Sequence, residues 1–133
     1  MKVITIDSLW AWAIIHGPKR VENRSWTTKH RGPLLIHAGL NTSREGEVRK
    51  FLSEQGLSVP EGDELDCLRG KIIGCVNLVD IVSLEQCNFT ELSLTTAPYA
   101  FGPECWILEN PQVLSPLPAK GRLGIWEFKT SSV

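Results

Sequence analysis

Large aromatic side chains and a cluster of basic residues occur together near the start of this 133-residue chain. Trp10, Trp12 and Trp26 are three of its five tryptophans. Positions 19–31 carry five basic residues and one acid, whereas the formal net charge of the chain is −1. The positive charge is therefore local and lies beside aromatic rings. This pairing suits a planar anion such as a nucleotide, because bases stack on aromatic rings and phosphates attract cations.

The predicted ligand-binding residues divide into stacking, cationic and acceptor groups. Trp10, Trp12 or Trp26 could stack on a base, and the lysines and arginines could contact phosphates. The carboxylate at position 22 could accept from an exocyclic amine such as cytosine N4, or simply hold a neighbouring arginine in place. The alternative is a solvated edge strand with an ion pair, and tryptophans that only fill the core. The predicted set is Trp10, Lys19, Glu22, Arg24, Trp26, Lys29 and Arg31.

A short strand and a buried helix precede these residues. Lys2 to Ile6 is rich in β-branched residues, which favours a strand. Residues 9–16, LWAWAIIH, are apolar almost all round, which predicts a buried helix that ends at Gly17-Pro18. From Arg20 to Trp26 the pattern alternates, which predicts a strand with Glu22, Arg24 and Trp26 on one face.

The remainder of the chain predicts a small α+β domain with a curled sheet, covering residues 1–133 as a single domain. The capping-box pattern at 42–45 opens a second helix that closes at Gly56, and residues 57–66 are expected to form a loop. Residues 84–104 are expected to be irregular, and Gly74 is expected to bend a long strand. The further predicted strands are 33–38, 69–83, 105–110, 112–117 and 124–128.

Several classes of function find no support in the sequence. The pI near 6.3 argues against unspecific coating of DNA. The four cysteines show no zinc-binding spacing, and no phosphate-binding loop or cofactor motif is present, so neither metal nor cofactor is expected. The N-terminus does not fit a signal peptide and no apolar run is long enough to span a membrane. These features predict a cytoplasmic protein.

The sequence resembles the ASCH family of the PUA-like superfamily. The family motif Gly-x-Lys-x-x-Glu-x-Arg stands at residues 17–24, and the Glu-x-Arg-Ser-Trp run at 22–26 is similar to the coactivator-type branch. Further matching segments are RGPLLIHA (31–38), RGKIIGCVNLVD (69–80), GPECWIL (102–108) and GRLGIWEF (121–128). The resemblance implies a PUA-like β-barrel of five or six strands with two or three helices. It also implies a cleft beside the first helix, lined by the motif.

The resemblance implies RNA or single-stranded nucleic acid as the partner, with a modified or extruded base held in an aromatic pocket. Many relatives carry Gln-Pro where this chain has Ser8-Leu9, so a contact through that glutamine is not expected. On this basis, replacing Lys19 and Arg24 together by alanine is expected to leave the fold intact and abolish RNA binding.

The alternative is a hydrolase. Some bacterial relatives look like amidohydrolases of N4-acetylcytidine that use a Thr, a Lys and a Glu. The lysine matches Lys19, whereas the threonine position holds Glu22. Lys19 and Glu22 are therefore the catalytic candidates, with Glu22 as general base for water and Lys19 stabilising an oxyanion. Ribonuclease activity and a protein-interaction role are further possibilities.

Overall fold

A curled six-stranded sheet is the centre of the computed structural model, which describes residues 1–89 and 96–129. The strands are β1 (Lys2–Ile6), β2 (Val21–Arg24), β3 (Gly32–Ala38), β4 (Lys71–Ser83), β5 (Glu104–Pro118) and β6 (Ile125–Glu127). Their order in the sheet is β2-β5-β4-β3-β1-β6, so β2 and β6 are the edge strands. Strands β1 and β3 pair in parallel, and the other neighbouring pairs are antiparallel. The predicted α+β class with a curled sheet is confirmed.

Four α-helices and a 3₁₀ turn occur within the described ranges. They are α1 (Ser8–Ile15), α2 (Glu45–Glu54), α3 (Gly62–Asp66), α4 (Leu84–Phe89) and the turn Ala97–Tyr99. The two shortest helices lie in segments that the sequence predicted as loop or irregular, because five or six residues are too few to show a helical period. No helix of the described residues is both long and apolar enough to cross a membrane.

Helix α1 is buried on two sides, as its apolar sequence predicted. Its Ala11, Ile14 and Ile15 pack on the sheet together with residues such as Ile36. Leu9 and Ala13 lie in a second cluster, which also contains the buried residues of α2. The helix is therefore enclosed between the sheet and α2, so almost all of its circumference must be apolar.

Strands β4 and β5 form a long, bent ribbon. The pairing register shifts at three points, one of them at Gly74, as the sequence predicted. A Cβ at Gly74 would lie 2.5 Å from Ile15 Cδ1, so only glycine lets α1 approach the strand this closely. The two strands predicted around Asn110-Pro111 are wrong, since β5 runs through this point as one strand. Asn110 has a φ of 52°, and this left-handed residue bends β5 without ending its pairing.

The start of α2 differs from the capping prediction, and the Arg20 side chain closes the end of α1. Arg44 stands at the N-cap of α2 without a side-chain capping bond, so the predicted capping box is wrong. Instead, the Asn41 side-chain oxygen accepts from the Ser43 amide at 3.1 Å, which satisfies a donor in the preceding turn. At the end of α1, the Arg20 guanidinium donates to the carbonyl oxygens of Ile14, Gly17 and Lys19. Arg20 is therefore used to close the helix.

Candidate functional site

A cleft of about 470 Å³ opens where β1, α1 and β2 meet the segment that follows the 3₁₀ turn. Small-molecule sites commonly have volumes of roughly 300–1,000 Å³, so the cleft is large enough for a nucleotide-sized ligand. Its wall contains aromatic, cationic and acidic side chains. The lining residues are Thr5, Ile6, Asp7, Trp10, Lys19, Glu22, Asn23, Arg24, Arg44, Phe101 and Gly102.

An ion network of Lys19, Glu22 and Arg24 lies at the base of the cleft. Lys19 Nζ donates to Glu22 Oε1 at 2.9 Å, and Arg24 Nη2 lies 3.0 Å from Glu22 Oε2. The side chains of Lys19 and Glu22 are only 1% and 9% exposed, whereas that of Arg24 is 24% exposed. Arg24 Nη2 also donates to the Thr5 carbonyl oxygen at 2.9 Å, which ties the network to β1. Charges buried this deeply are stable only when paired and hydrogen-bonded.

The local fold explains why these three side chains converge. Gly17-Pro18 ends α1, and the Lys19 amide then donates to the Ala13 carbonyl oxygen at 3.0 Å. This turn places the Lys19 ammonium 5.1 Å from the centre of the Trp10 ring, within cation–π range. Strand β2 pairs with β5 at the edge of the sheet, and its alternation puts Glu22 and Arg24 on one side.

Phe101 supplies the exposed aromatic surface of the cleft. It is 49% exposed, and its ring centre lies 6.3 Å from that of Trp10. Asn23 holds this segment in place, because its side-chain oxygen accepts from the Phe101 and Gly102 amides at 2.8 Å each. Its side-chain amide donates to the Tyr99 carbonyl oxygen at 3.0 Å. One side chain of β2 therefore fixes the position of the aromatic wall.

Asp7 and Arg44 add one charge of each sign to the lining. Burial, followed by the nearby Glu22 carboxylate, raises the pKa of Asp7 above its ordinary value of 3.8. Arg44 is largely exposed, and its guanidinium lies 3.2 Å from Glu47. A negative ligand would therefore meet an exposed cation at Arg44 and would favour the protonated form of Asp7.

The donors of the cleft suit a polar ligand. Arg24 Nε is buried and has no hydrogen-bond partner in the described part of the chain, so one donor of this guanidinium is left unsatisfied. Both Glu22 oxygens already accept from cations. Among residues 1–89 and 96–129, no group of three or more His, Cys, Asp or Glu side chains is arranged to hold a metal.

The structure brings together four of the seven predicted site residues, Trp10, Lys19, Glu22 and Arg24, and the other three do not line the cleft. Trp26 packs edge-on against Trp106, with ring centres 4.9 Å apart.

Lys29 is exposed. The Arg31 guanidinium donates to the Thr28 and His30 carbonyl oxygens, and its Nη2 lies 4.0 Å from Asp80. Ligand contacts by Trp26, Lys29 and Arg31 stay predictions.

Several residues of the cleft were not predicted from the sequence, because most of them lie in no local sequence pattern that indicates a binding site. Phe101 is more than seventy positions from β2 in sequence and reaches the cleft only through the pairing of β2 with β5. The Pro/Gly-rich GPECWIL segment next to Phe101 was a usable marker of a constrained turn. A Cβ at Gly102, where φ is 70°, would lie 2.6 Å from Leu84 Cβ, so this turn requires glycine.

The family of this chain follows from comparison with known proteins. The family described as ASCH domain matches residues 4–118. The chain therefore belongs to the ASCH domain family, as its motif predicted.

Activating signal cointegrator 1 of Homo sapiens is 33% identical over 128 residues, which cover 94% of this chain and 22% of the human protein. The Mus musculus protein of the same name is 34% identical over 128 residues, with the same shares covered. This chain therefore spans about a fifth of the length of these curated relatives.

Solved structures share the fold at low sequence identity. The crystal structure of ASCH from Zymomonas mobilis has a TM-score of 0.58 and 14% identity, over 96% of this chain and 87% of that chain. A single-substitution variant of the same protein has a TM-score of 0.54 and 14% identity, over 96% and 89% of the two chains. At this identity the likeness shows the fold alone.

Proposed function

We propose that this chain binds RNA and that the cleft receives one nucleotide of a single-stranded segment. The observation that carries the proposal is the buried ion network at the base of a cleft with an aromatic wall. A base needs a π surface and its phosphate needs cations, and one cavity offers both. Membership of the ASCH family supports the same ligand class, since PUA-like relatives commonly bind RNA.

Phe101 is the better stacking surface of the two aromatic residues in the cleft. One face of the Trp10 ring is occupied by the Lys19 ammonium, whereas Phe51 packs edge-on against both the Trp10 and the Phe101 ring. Phe101 is half exposed and its backbone is held by Asn23. A base could therefore stack on Phe101 with Trp10 behind it, for roughly 1–3 kcal/mol.

The polar groups divide between phosphate and base. Arg44 is exposed at the cleft and pairs only with the exposed Glu47, a contact that a phosphate can replace, whereas Arg24 is fixed by Glu22 and Thr5. Because both Glu22 oxygens already accept from cations, Glu22 is not expected to accept from an exocyclic amine of the base. Glu22 then acts as a positioning residue, which holds Lys19 and Arg24 in the orientation that the ligand meets.

The alternative is a hydrolase acting on a modified nucleoside. Lys19 and Glu22 both line the cleft, where an oxyanion donor and a general base would have to lie, although the two groups are paired with each other at 2.9 Å. The geometry favours the positioning role of Glu22 over a catalytic one, since Lys19 is 1% exposed and Glu22 holds two cations. Chromatography of N4-acetylcytidine and of a short RNA after incubation with the protein separates the alternatives, because binding alone gives no product.

Phe101→Ala tests the binding proposal with little risk to the fold, because the side chain is half exposed. Affinity is measured by fluorescence anisotropy with a labelled single-stranded RNA hexamer and by calorimetry with ribonucleoside monophosphates. Loss of stacking worth about 1–3 kcal/mol raises the dissociation constant roughly 5- to 160-fold. The expectation that Lys19→Ala with Arg24→Ala leaves the fold intact conflicts with the burial of Glu22, which would lose both cations.

Leu114→Ala is the matched control, because this side chain is also partly exposed and does not line the cleft. The control is expected to bind RNA as the unaltered protein does. Equal affinity of the Phe101→Ala variant and the control would overturn the proposed site. Product formation from N4-acetylcytidine that is lost in a folded Glu22→Gln variant would favour the hydrolase instead.

A further inference from the structure

A second cavity of about 530 Å³ adjoins the cleft at Thr5, which lines both of them. It lies where the end of β3 meets the segment between β5 and β6. The lining residues are Thr5, His37, Gly39, Leu40, Gly70, Ala119, Lys120, Gly121, Arg122 and Leu123. On the side of the cleft, the Thr5 carbonyl oxygen accepts a hydrogen bond from Arg24. The two cavities therefore meet at this residue of β1.

The floor of the second cavity is a hydrogen-bonded network of Thr5, His37 and Trp126. His37 Nε2 lies 2.7 Å from the Ala119 carbonyl oxygen, which can only accept, so this nitrogen carries the proton. In the neutral ring, Nδ1 then accepts from the Thr5 hydroxyl at 3.2 Å. The indole N–H of Trp126 donates to the same hydroxyl at 3.1 Å. Both ring nitrogens of His37 are engaged, so the histidine forms a fixed floor.

The rim of the second cavity combines positive charge with exposed aliphatic side chains. Lys120 and Arg122 are exposed, and none of the residues that line this cavity is acidic. Leu123 is 99% exposed and Leu40 is 72% exposed. Gly121 lies close over the floor, because a Cβ there would be 3.0 Å from His37 Cε1. Two cations therefore flank a backbone turn that a ligand can approach closely.

We propose that the second cavity holds the next nucleotide and its phosphodiester, on the same RNA strand whose base occupies the cleft. This inference rests on the proposed function, since it extends that site along the strand. The shared Thr5 provides continuity, and the purely positive charge of this rim suits a phosphate backbone. Leu40 and Leu123 provide apolar surface for a base or ribose. An apolar protein segment would use the leucines but would leave both cations without a partner.

The test compares ligands of two lengths in a double variant, Lys120→Ala with Arg122→Ala. The probes are ribonucleoside monophosphates, which reach only the cleft, and a single-stranded RNA hexamer, which can reach both cavities. We expect unchanged affinity for the monophosphates and weaker binding of the hexamer. For single strands the salt slope changes by about 0.7 per phosphate neutralised, so losing the one phosphodiester of the second cavity lowers it by about 0.7. Between 50 and 200 mM salt the unaltered protein should therefore lose about 2.6-fold more affinity than the variant.

Lys50→Ala with Lys129→Ala is the matched control. It also removes two exposed positive charges, and neither residue lines the cleft or the second cavity. We expect the control to keep the hexamer affinity and the salt slope of the unaltered protein. An equal loss in both double variants would overturn the inference, because the effect would then be general electrostatics.

Three further outcomes separate this inference from the proposed function. Unchanged hexamer affinity in the Lys120/Arg122 variant would overturn it and favour a protein segment between Leu40 and Leu123. If monophosphates bind and the hexamer binds no more tightly than they do, the inference about the second cavity is wrong and the proposed function of the cleft stands. If the unaltered protein binds neither probe, the proposed function fails with it.

Discussion

Removing charges from the ion network one at a time should destabilise the fold in a defined order. Breaking a buried ion pair by deleting one partner commonly costs about 3–5 kcal/mol. Lys19→Met leaves Glu22 with Arg24 as a partner, so we expect the lower end, about 3 kcal/mol. Glu22→Leu leaves two cations without their acceptor, one of them only 1% exposed, so we expect about 5 kcal/mol.

The double variant Lys19→Met with Glu22→Leu gives the sharper test. It removes both of the most buried charges and leaves Arg24, which is 24% exposed and still donates to the Thr5 carbonyl oxygen. Replacing a buried pair by apolar groups is often nearly neutral, whereas Glu22→Leu alone leaves the buried Lys19 ammonium without an acceptor. We therefore expect the double variant to be more stable than Glu22→Leu by about 2 kcal/mol or more.

Urea unfolding measures these differences, provided that the m-values agree between variants. Lys50→Met is the control, because the Lys50 ammonium lies 4.0 Å from Glu54 and both side chains are largely exposed. Such surface pairs contribute roughly 0–1 kcal/mol. If Lys19→Met cost no more than Lys50→Met, the network would not be desolvated. If the two single losses simply added in the double variant, Lys19 and Glu22 would not be coupled.

Two further predictions concern side chains around the network. Asp7→Asn should remove a pH dependence of RNA affinity: the pKa of Asp7 is raised by burial and Glu22, and an anionic ligand favours its protonated form. Affinity for a phosphodiester probe should therefore be highest at low pH, where Asp7 is protonated. It should fall as the pH rises through the pKa of Asp7, which lies above the ordinary value of 3.8. A titration in which the Asp7→Asn variant shows the same fall would contradict this. Asn23→Ala should destabilise the fold by about 1–3 kcal/mol through loss of three hydrogen bonds and should expose the Phe101 and Gly102 amides, which hydrogen exchange detects. Asn23→Asp, which keeps the acceptor oxygen, should retain the protection of those amides.

The short-range part of the site could be predicted from sequence, because it depends on local geometry. Gly17-Pro18 ends the helix, and the spacing of Lys19, Glu22 and Arg24 brings them to one cavity. The assignment of Trp26 to the same face assumed that the alternation continued. Strand β2 ends at Arg24, and the bend that follows turns the indole towards Trp106. A strand pattern predicts faces only as far as the strand extends.

The parts that could not be predicted depend on contacts between distant segments. Phe101 enters the cleft because β2 pairs with β5, and the sequence holds no local sign of that pairing. The burial of Glu22 could also not be predicted from the sequence, because a strand face that carries acids and arginines is normally exposed to solvent. Within the fold its charge is balanced by two cations, and a balanced set can be buried where a single charge could not.

Because the ion network is buried and the other cations are exposed, we expect different residues to supply the salt-independent and the salt-dependent parts of the RNA affinity. Arg24 is held by Glu22 and Thr5 before any ligand arrives, so a contact to it does not need to order a long side chain, which can cost up to roughly 2 kcal/mol. Arg44, Lys120 and Arg122 are exposed and carry that cost, but each phosphate that they neutralise releases the counterions condensed on the RNA. Affinity that persists at high salt should therefore come from Phe101 and Arg24, whereas the affinity that salt removes should come from the exposed cations.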